Sequence, residues 1–345
     1  MAKLSVGLDI GFFSIKAVQL DRSGNQPKLM TLGAMPTPLP GMISEQDSDL
    51  EKVAETIKRL FANFGFNTKE AVVALPENKV FTRVIDDLPY LTDEELSSAI
   101  KYAAEEFIPM PLSDVNLNWQ VLARSDGKNK NSKTIVLVIA SPKMAVEKYV
   151  KVLSLAGIKA KALETDLIAI TRSLVGRNPF SPSTLIIQLG ATSTDLAVVS
   201  QGLIWLTRSI STGGIALTRQ LAQQFNFEVA QAEEYKKVYG LSQDQLEGKV
   251  FEAMKPLADI IATEAKRITQ AFDTKYPQNQ IKRVVLSGGG AKMPGLVIYL
   301  ANSLGLEVQE ADPWYSVIKE KGMEAKLATV APLYSVAVGL AERED

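Results

Sequence analysis

Leu8-Asp9-Ile10-Gly11-Phe12-Phe13-Ser14-Ile15-Lys16-Ala17-Val18 and Ile187-Gln188-Leu189-Gly190-Ala191-Thr192-Ser193-Thr194-Asp195-Leu196-Ala197-Val198 say nearly the same thing twice. One constant offset lays Gly11 on Gly190 and Ser14 on Ser193 without a gap. Each copy reads as strand, glycine-bearing polar turn, strand. Glycine at such a turn admits positive φ and lets an anion approach the main chain. Two such hairpins in two similar halves are suited to gripping a polyphosphate from both sides.

The chain has 345 residues, room for more than one core. Apolar residues make up 46% and charged residues 22%, an ordinary globular balance. A net charge of −1 argues against a general nucleic-acid binder. Cysteine and histidine are both absent, which excludes disulfides, thiolate and imidazole metal sites and Ser-His-Asp catalysis. Any general base is therefore Asp, Glu, Lys or Tyr. No apolar run approaches the roughly 18–20 residues that span a bilayer, and Met1-Ala2-Lys3-Leu4 has no signal-peptide shape. A cytoplasmic protein is expected.

Outward from the first hairpin, Lys28 to Met35 reads as a third strand and 49–64 as an amphipathic helix. Ala71 to Leu75 is a short buried strand. Val80 to Asp86, a helix capped by Thr92-Asp93-Glu94-Glu95, Asn116 to Leu122 and Thr134 to Ala140 form an inserted α+β unit. The polar turn Asp126 to Ser132 divides its last two strands. Helix 143–156, strand Lys159 to Leu163 and a helix from Glu164 to Val175 lead to a hinge at Arg177 to Ser183. The second half repeats strands at 184–189, 195–200 and 203–210. Helices follow at 229–239 and 250–275, the latter broken or kinked at Pro256, then at 294–304 and 333–341.

Ser287-Gly288-Gly289-Gly290-Ala291-Lys292-Met293 follows an apolar strand. Three glycines there let a flat ring or a phosphate lie on bare backbone beside a helix N-terminus. Asp9 at a strand end suits a hydrated Mg²⁺, and Lys16 on the next strand is placed to reach a terminal phosphate. Ala191, Thr192 and Ser193 supply the second turn. Gly213-Gly214 offers a further exposed helix start. Glu233, Lys236 and Lys237 share a helix, a carboxylate for ribose hydroxyls and a lysine stem for a base. As a bland reading, that trio is a surface ion pair.

These pieces occur in the order used by the actin-like ATPase superfamily, which the chain resembles over almost its whole length. The resemblance implies an α/β, duplicated actin-like ATPase (ribonuclease-H-like) fold with an FtsA-type 1C insertion. It also implies ATP or ADP with Mg²⁺ as cofactors, with Asp9 holding the metal through water. Subdomain 1A is expected at 1–78 and 141–178, 1C at 79–140, 2A at 179–225 and 281–345, and helical 2B at 226–280. Within the superfamily, Val6-Gly7-Leu8-Asp9-Ile10-Gly11 with Ser14-Ile15-Lys16, Ala104 to Val115 with its Ile108-Pro109-Met110-Pro111-Leu112, and Ile210 to Thr218 resemble the PilM family of type IV pilus assembly proteins. Val336-Ala337-Val338-Gly339-Leu340 resembles the second connecting helix, whose small residues let two helices cross closely. The second hairpin departs from the superfamily pattern: Gln188 stands where an Asp is usual, which implies slow hydrolysis or none. Glu164 is then the candidate for positioning an attacking water.

Resemblance to PilM implies a scaffold at the inner face of the cytoplasmic membrane. Its expected partner is the N-terminal cytoplasmic peptide of a PilN-type bitopic membrane protein, carrying an Asn-Leu-Leu-Pro type motif, with other pilus platform proteins and further copies of itself beside it. Tyr90, Tyr102, Phe107 and Ile108 are the candidate peptide contacts. Contact with the membrane is expected only through the partner. The alternatives are an FtsA-like filament protein of cell division and a sugar-kinase-like phosphotransferase. The short acidic end Ala341-Glu342-Arg343-Glu344-Asp345 lacks the basic amphipathic helix of the first.

Overall fold

Apolar alternation and run length set the strands, and the two halves repeat one arrangement of them. The computed structural model describes residues 3–125, 133–176, 178 and 180–344. The expected turn at Asp126 to Ser132, and Arg177 and Pro179 of the expected hinge, lie outside the described residues. The chain begins with β1 (Leu4–Ile10), β2 (Ser14–Asp21), β3 (Lys28–Pro36), α1 (Asp47–Asn63) and β4 (Glu70–Leu75). Next come β5 (Phe81–Pro89), α2 (Asp93–Glu105), β6 (Val115–Arg124) and β7 (Lys133–Pro142). The first half closes with α3 (Lys143–Leu155), β8 (Lys159–Thr165) and α4 (Asp166–Leu174). The second contains β9 (Thr184–Leu189), β10 (Thr194–Ser200), β11 (Leu203–Ile210), α5 (Gly214–Phe225), α6 (Val229–Tyr239) and α7 (Lys249–Lys275). It ends in β12 (Arg283–Ser287), α8 (Leu296–Leu304), β13 (Glu307–Glu310) and α9 (Glu324–Ala341).

One sheet has the order β3-β2-β1-β4-β8 and the other β11-β10-β9-β12-β13. In each, the first three strands form an antiparallel meander, and two parallel strands follow on the far side of the first. The sequence repeat is therefore a repeat of topology. A third, antiparallel sheet, β5-β7-β6, carries α2 on one face, where Leu96 and Ile100 bury against Ile85, Val136 and Val138. A capping box starts α2: Thr92 Oγ1 accepts from the Glu95 amide while Glu95 accepts from the Thr92 amide.

The helices α4 and α9 cross between the halves, and small residues make the crossing possible. A Cβ on Gly339 would lie 1.8 Å from the Ala169 carbonyl oxygen, and one on Gly7 would lie 2.0 Å from that of Ala337. Backbone thus rests on backbone, closer than any larger residue allows.

Two prolines sit inside helices that the sequence suggested they would interrupt. Helix α7 runs unbroken through Pro256, and α9 starts at Glu324 rather than after Pro332. Proline removes a bond to the carbonyl four residues back. Those residues, Glu252 and Ala328, are solvent-exposed, so both prolines fall where the helix faces solvent.

Candidate functional site

The two glycine turns are built alike. Gly11 N–H donates to Ser14 O at 3.1 Å, and Gly190 N–H donates to Ser193 O at 3.0 Å. Each glycine carbonyl is also taken. Thr37 Oγ1 donates to Gly11 O at 2.8 Å, and the Gly214 amide donates to Gly190 O at 2.9 Å. Thr37 carries no glycine or charge signal in the sequence; only the fold brings it to the turn.

The register that pairs Asp9 with Lys16 pairs Gln188 with Asp195. In the first hairpin the Lys16 ammonium lies 2.9 Å from Asp9 and 3.3 Å from Ser14 Oγ. In the second, Asp195 is buried and accepts from Ser193 Oγ at 3.1 Å and from Ser209 Oγ. The hairpins share a backbone and differ in charge.

Asp166 opens α4 and joins the halves: its Oδ2 accepts from Gln188 Nε2 at 3.3 Å. Among the described residues, its Oδ1 and the Gln188 Oε1 are buried without a hydrogen-bond partner. Burial, with the carboxylates of Asp195, Glu77 and Asp9 nearby, holds the Asp166 carboxyl well above the ordinary range. Burial pushes Glu77 up to about 7, and Asp195 is also raised by burial, against the hydrogen bonds from Ser209 and Ser193. Asp166 is the site residue that sequence reasoning missed. Its signal was Thr165, whose Oγ1 accepts from the Ile168 amide and makes Thr165 the cap of α4.

That cap corrects the reading of Glu164. The residue belongs to β8, on the opposite face from its neighbour. Arg172 holds its carboxylate through two bonds, 2.6 and 3.0 Å, and Arg343 adds a third contact. With its side chain 4% exposed, Glu164 has both carboxylate oxygens bound to guanidinium groups.

The glycine-rich turn follows β12. Gly288 has φ +85°, and a Cβ there would meet Leu189 O at 2.5 Å. Gly290 packs against the Leu189 side chain. Gly289 alone of the three faces open space. The Gly288 amide and Ser287 Oγ both donate to Pro332 O, fastening the turn to α9. Met293 is buried in the core of the second half.

Gly213 and Gly214 are not an exposed helix start. Both are buried, and the first amides of α5 are spent on Gly190 O and Ala191 O. A Cβ on Gly213 would lie 2.7 Å from Ala191 O, so the glycine is there to let α5 abut the second turn. Lys236 is buried too, donating to Gly214 O at 3.0 Å, Thr218 Oγ1 at 2.8 Å and Glu233 Oε2 at 2.7 Å. Burial raises the Glu233 carboxyl, but the Lys236 and Thr218 hydrogen bonds outweigh it and hold it below its usual range. Lys237 is exposed, 3.8 Å from Glu233.

In the inserted unit, Tyr102 is 75% exposed and Tyr90 44%. Phe107 is half-buried under the Arg83 guanidinium. Ile108 is 5% exposed, within a cluster with Ala104, Val115 and Ala140, so it is core and offers no partner contact.

Does the site fit a nucleotide and Mg²⁺? The Lys16 ammonium at the first turn is a donor for phosphate, the Asp9 carboxylate and the buried Asp166 Oδ1 and Gln188 Oε1 are acceptors suited to the water shell of a cation, and Gly289 leaves open space for a flat ring. Among the described residues no group of three or more Asp and Glu is placed to hold a metal.

Two halves of one strand order, paired glycine turns between them and two crossing helices define a protein of the actin-like ATPase fold. The structure of MreB5 of Spiroplasma citri bound to AMPPNP shares it, with a TM-score of 0.53 at 15% identity over 98% of this chain and 95% of that one. The chain belongs to the PilM family of type IV pilus assembly proteins, whose family model matches residues 7–345. It is similar to a solved PilM-PilN type IV pilus biogenesis complex, with a TM-score of 0.83 at 27% identity, covering 98% of this chain and 97% of that one. It is also 23% identical to the cell division protein FtsA of Enterococcus hirae over 392 residues, 98% of this chain and 87% of that protein. Among the described residues no helix is long and apolar enough to cross a membrane.

Proposed function

We propose that this PilM-family chain binds ATP or ADP with Mg²⁺ between its twin turns and uses the bound state to hold a membrane partner's tail. One observation carries the nucleotide reading: the Gly11–Ser14 and Gly190–Ser193 turns are the same hydrogen-bonded device, one in each half. Gly11, Ser14 and Lys16 would hold phosphate from one side, and Gly190 to Ser193 from the other. Gly289 would lie under the base, with Glu233 and Lys237 at its margin. Asp9 would hold Mg²⁺ through water, and the ion supplies neutralisation of phosphate charge. The similar MreB5 structure, described as bound to AMPPNP, supports this assignment.

Hydrolysis is slow or absent. Asp166, rather than Glu164, is the carboxylate that meets Gln188 across the halves, and it is buried and held to a neutral amide, an arrangement that does not hold an attacking water in place.

The partner is the N-terminal cytoplasmic peptide of a PilN-type bitopic membrane protein, which would keep the chain at the inner face of the membrane. The similar PilM-PilN type IV pilus biogenesis complex supports that reading. Exposed Tyr90 and Tyr102 and half-buried Phe107 remain the candidate contacts, in a groove between subdomains 1A and 1C. Nucleotide would bias the docked state by changing the angle between halves. Calorimetric titration with ATP, ADP and an Asn-Leu-Leu-Pro peptide, with and without Mg²⁺, tests both parts. Micromolar nucleotide binding that Asp9→Ala makes insensitive to Mg²⁺ supports the first part, and no heat from any nucleotide overturns it. No peptide binding in any condition overturns the second.

A further inference from the structure

Every sheet ends in edge strands, and a free edge is a template for pairing that proteins normally blunt. Here the edges are blunted in recognisable ways, with one exception. Strand β3 is covered: the Leu29 amide donates to Ile318 O and the Ile318 amide to Pro27 O. Strand β8 carries Lys159 and Lys161 and a bulge at Ala71/Val72. Strand β13 is four residues long with a glutamate at each end. Strand β11 carries Arg208, paired with Glu264, and β5 carries Arg83, Asp86 and Asp87 and ends in Pro89.

Over Val115 to Val121 strand β6 has none of these devices; its bulge, at Val121/Ala123, and its terminal Arg124, paired with Asp93, come after that stretch. From Val115 to Ala123 it bears no charge and no proline, and it pairs only with β7. Among the described residues its backbone makes no other hydrogen bond. Trp119 and Val121 are exposed, at 38% and 37%. The register on β7 sets Leu117, Trp119 and Val121 opposite Ala140, Val138 and Val136, on the face that carries α2. Asn116, Asn118 and Gln120 occupy the other face, all exposed.

We propose that β6 pairs with β6 of a second copy of this chain, antiparallel about Asn118, making one continuous sheet from two inserted units. The order of residues favours a second copy as the occupant. About Asn118 the strand is its own complement: Leu117 falls opposite Trp119, Asn116 opposite Gln120 and Val115 opposite Val121. Apolar side chains meet apolar ones on one face and amides meet amides on the other, the cross-strand pairs that stabilise sheets. An isologous contact of this kind closes as a two-fold dimer. It does not depend on nucleotide.

The absence of cysteine makes the test clean. Sedimentation velocity over a concentration range should show a dimer. Asn118→Lys sets two ammonium groups face to face on the axis and should weaken association roughly a hundredfold, with unchanged circular dichroism and melting. Asn118→Cys, the sole thiol in its chain, should form a disulfide-linked dimer under mild copper oxidation. Asn116→Cys should do so only when mixed with Gln120→Cys. A wild-type monomer at every concentration, a dimer undisturbed by Asn118→Lys, or equal cross-linking of Asn116→Cys and Asn118→Cys alone would each overturn the proposal.

Discussion

Asp166, at the start of a helix of the first half, accepts a 3.3 Å hydrogen bond from the side-chain amide of Gln188, on a strand of the second. The bond lies between the glycine turns and is part of a buried acidic group with Glu77 and Asp195. All three are held at raised pKa by burial, and Asp166 and Glu77 also by neighbouring carboxylates.

That group makes stability fall as pH rises. A carboxyl whose folded pKa is raised binds more protons folded than unfolded, so unfolding free energy decreases from the unfolded pKa up to the folded one. For Glu77 the window runs from 4.5 to about 7. Glu77→Gln removes the titration. The variant should gain about 2–3 kcal/mol relative to wild type at pH 8 and nothing at pH 4, read by urea unfolding at both values.

Two glycines should respond in opposite ways to alanine. Gly339→Ala drives a methyl into the Ala169 carbonyl and should cost about 3 kcal/mol or more in thermal unfolding. Gly289→Ala meets open space and should leave stability within about 0.5 kcal/mol, while weakening ATP binding about tenfold in a titration.

Breaking the Glu164 cluster should damage the fold and not the chemistry. Arg172→Ala leaves a buried carboxylate with one partner fewer and should destabilise by about 3 kcal/mol in denaturant. Glu164→Gln should leave single-turnover ATP hydrolysis, however slow, unchanged once folding is matched. A loss of turnover in that variant would restore Glu164 to the reaction.

Within the inserted unit, Ile108→Ala should lower stability by about 3 kcal/mol because it opens a cavity beneath α2. Tyr102→Ala should leave the melting temperature unchanged and weaken the partner peptide about tenfold in fluorescence anisotropy. A peptide affinity untouched by Tyr102→Ala would move the docking site elsewhere.

The duplication was legible because it is local. Gly11 and Gly190 mark turns between strands that are near-continuous apolar runs, and such runs place the strands without reference to anything distant. The amphipathic helix at 49–64, the helix at 229–239 and the capped helix after Thr92 were legible because their signals are local too. What escaped was set by contacts across the chain. Thr37 reaches Gly11 only because β3 returns beside β2. Gly213 and Gly214 look like an anion site until the second turn is seen to occupy their donors. Glu164 and Asp166 are two residues apart, and the choice between them turned on whether Thr165 or its neighbour capped α4. Ile108 and Tyr102 are equally apolar in sequence terms; only packing separates core from surface.

The paired turns have one more implication. The halves have a common backbone, yet one carries a lysine–aspartate couple and the other a sequestered aspartate bound by two serines. A perfectly symmetric cradle would present the same chemistry to an elongated anion in either sense. This one offers a paired ammonium and carboxylate on one side and a buried, hydroxyl-bound carboxylate on the other, so its two ends are chemically distinguishable.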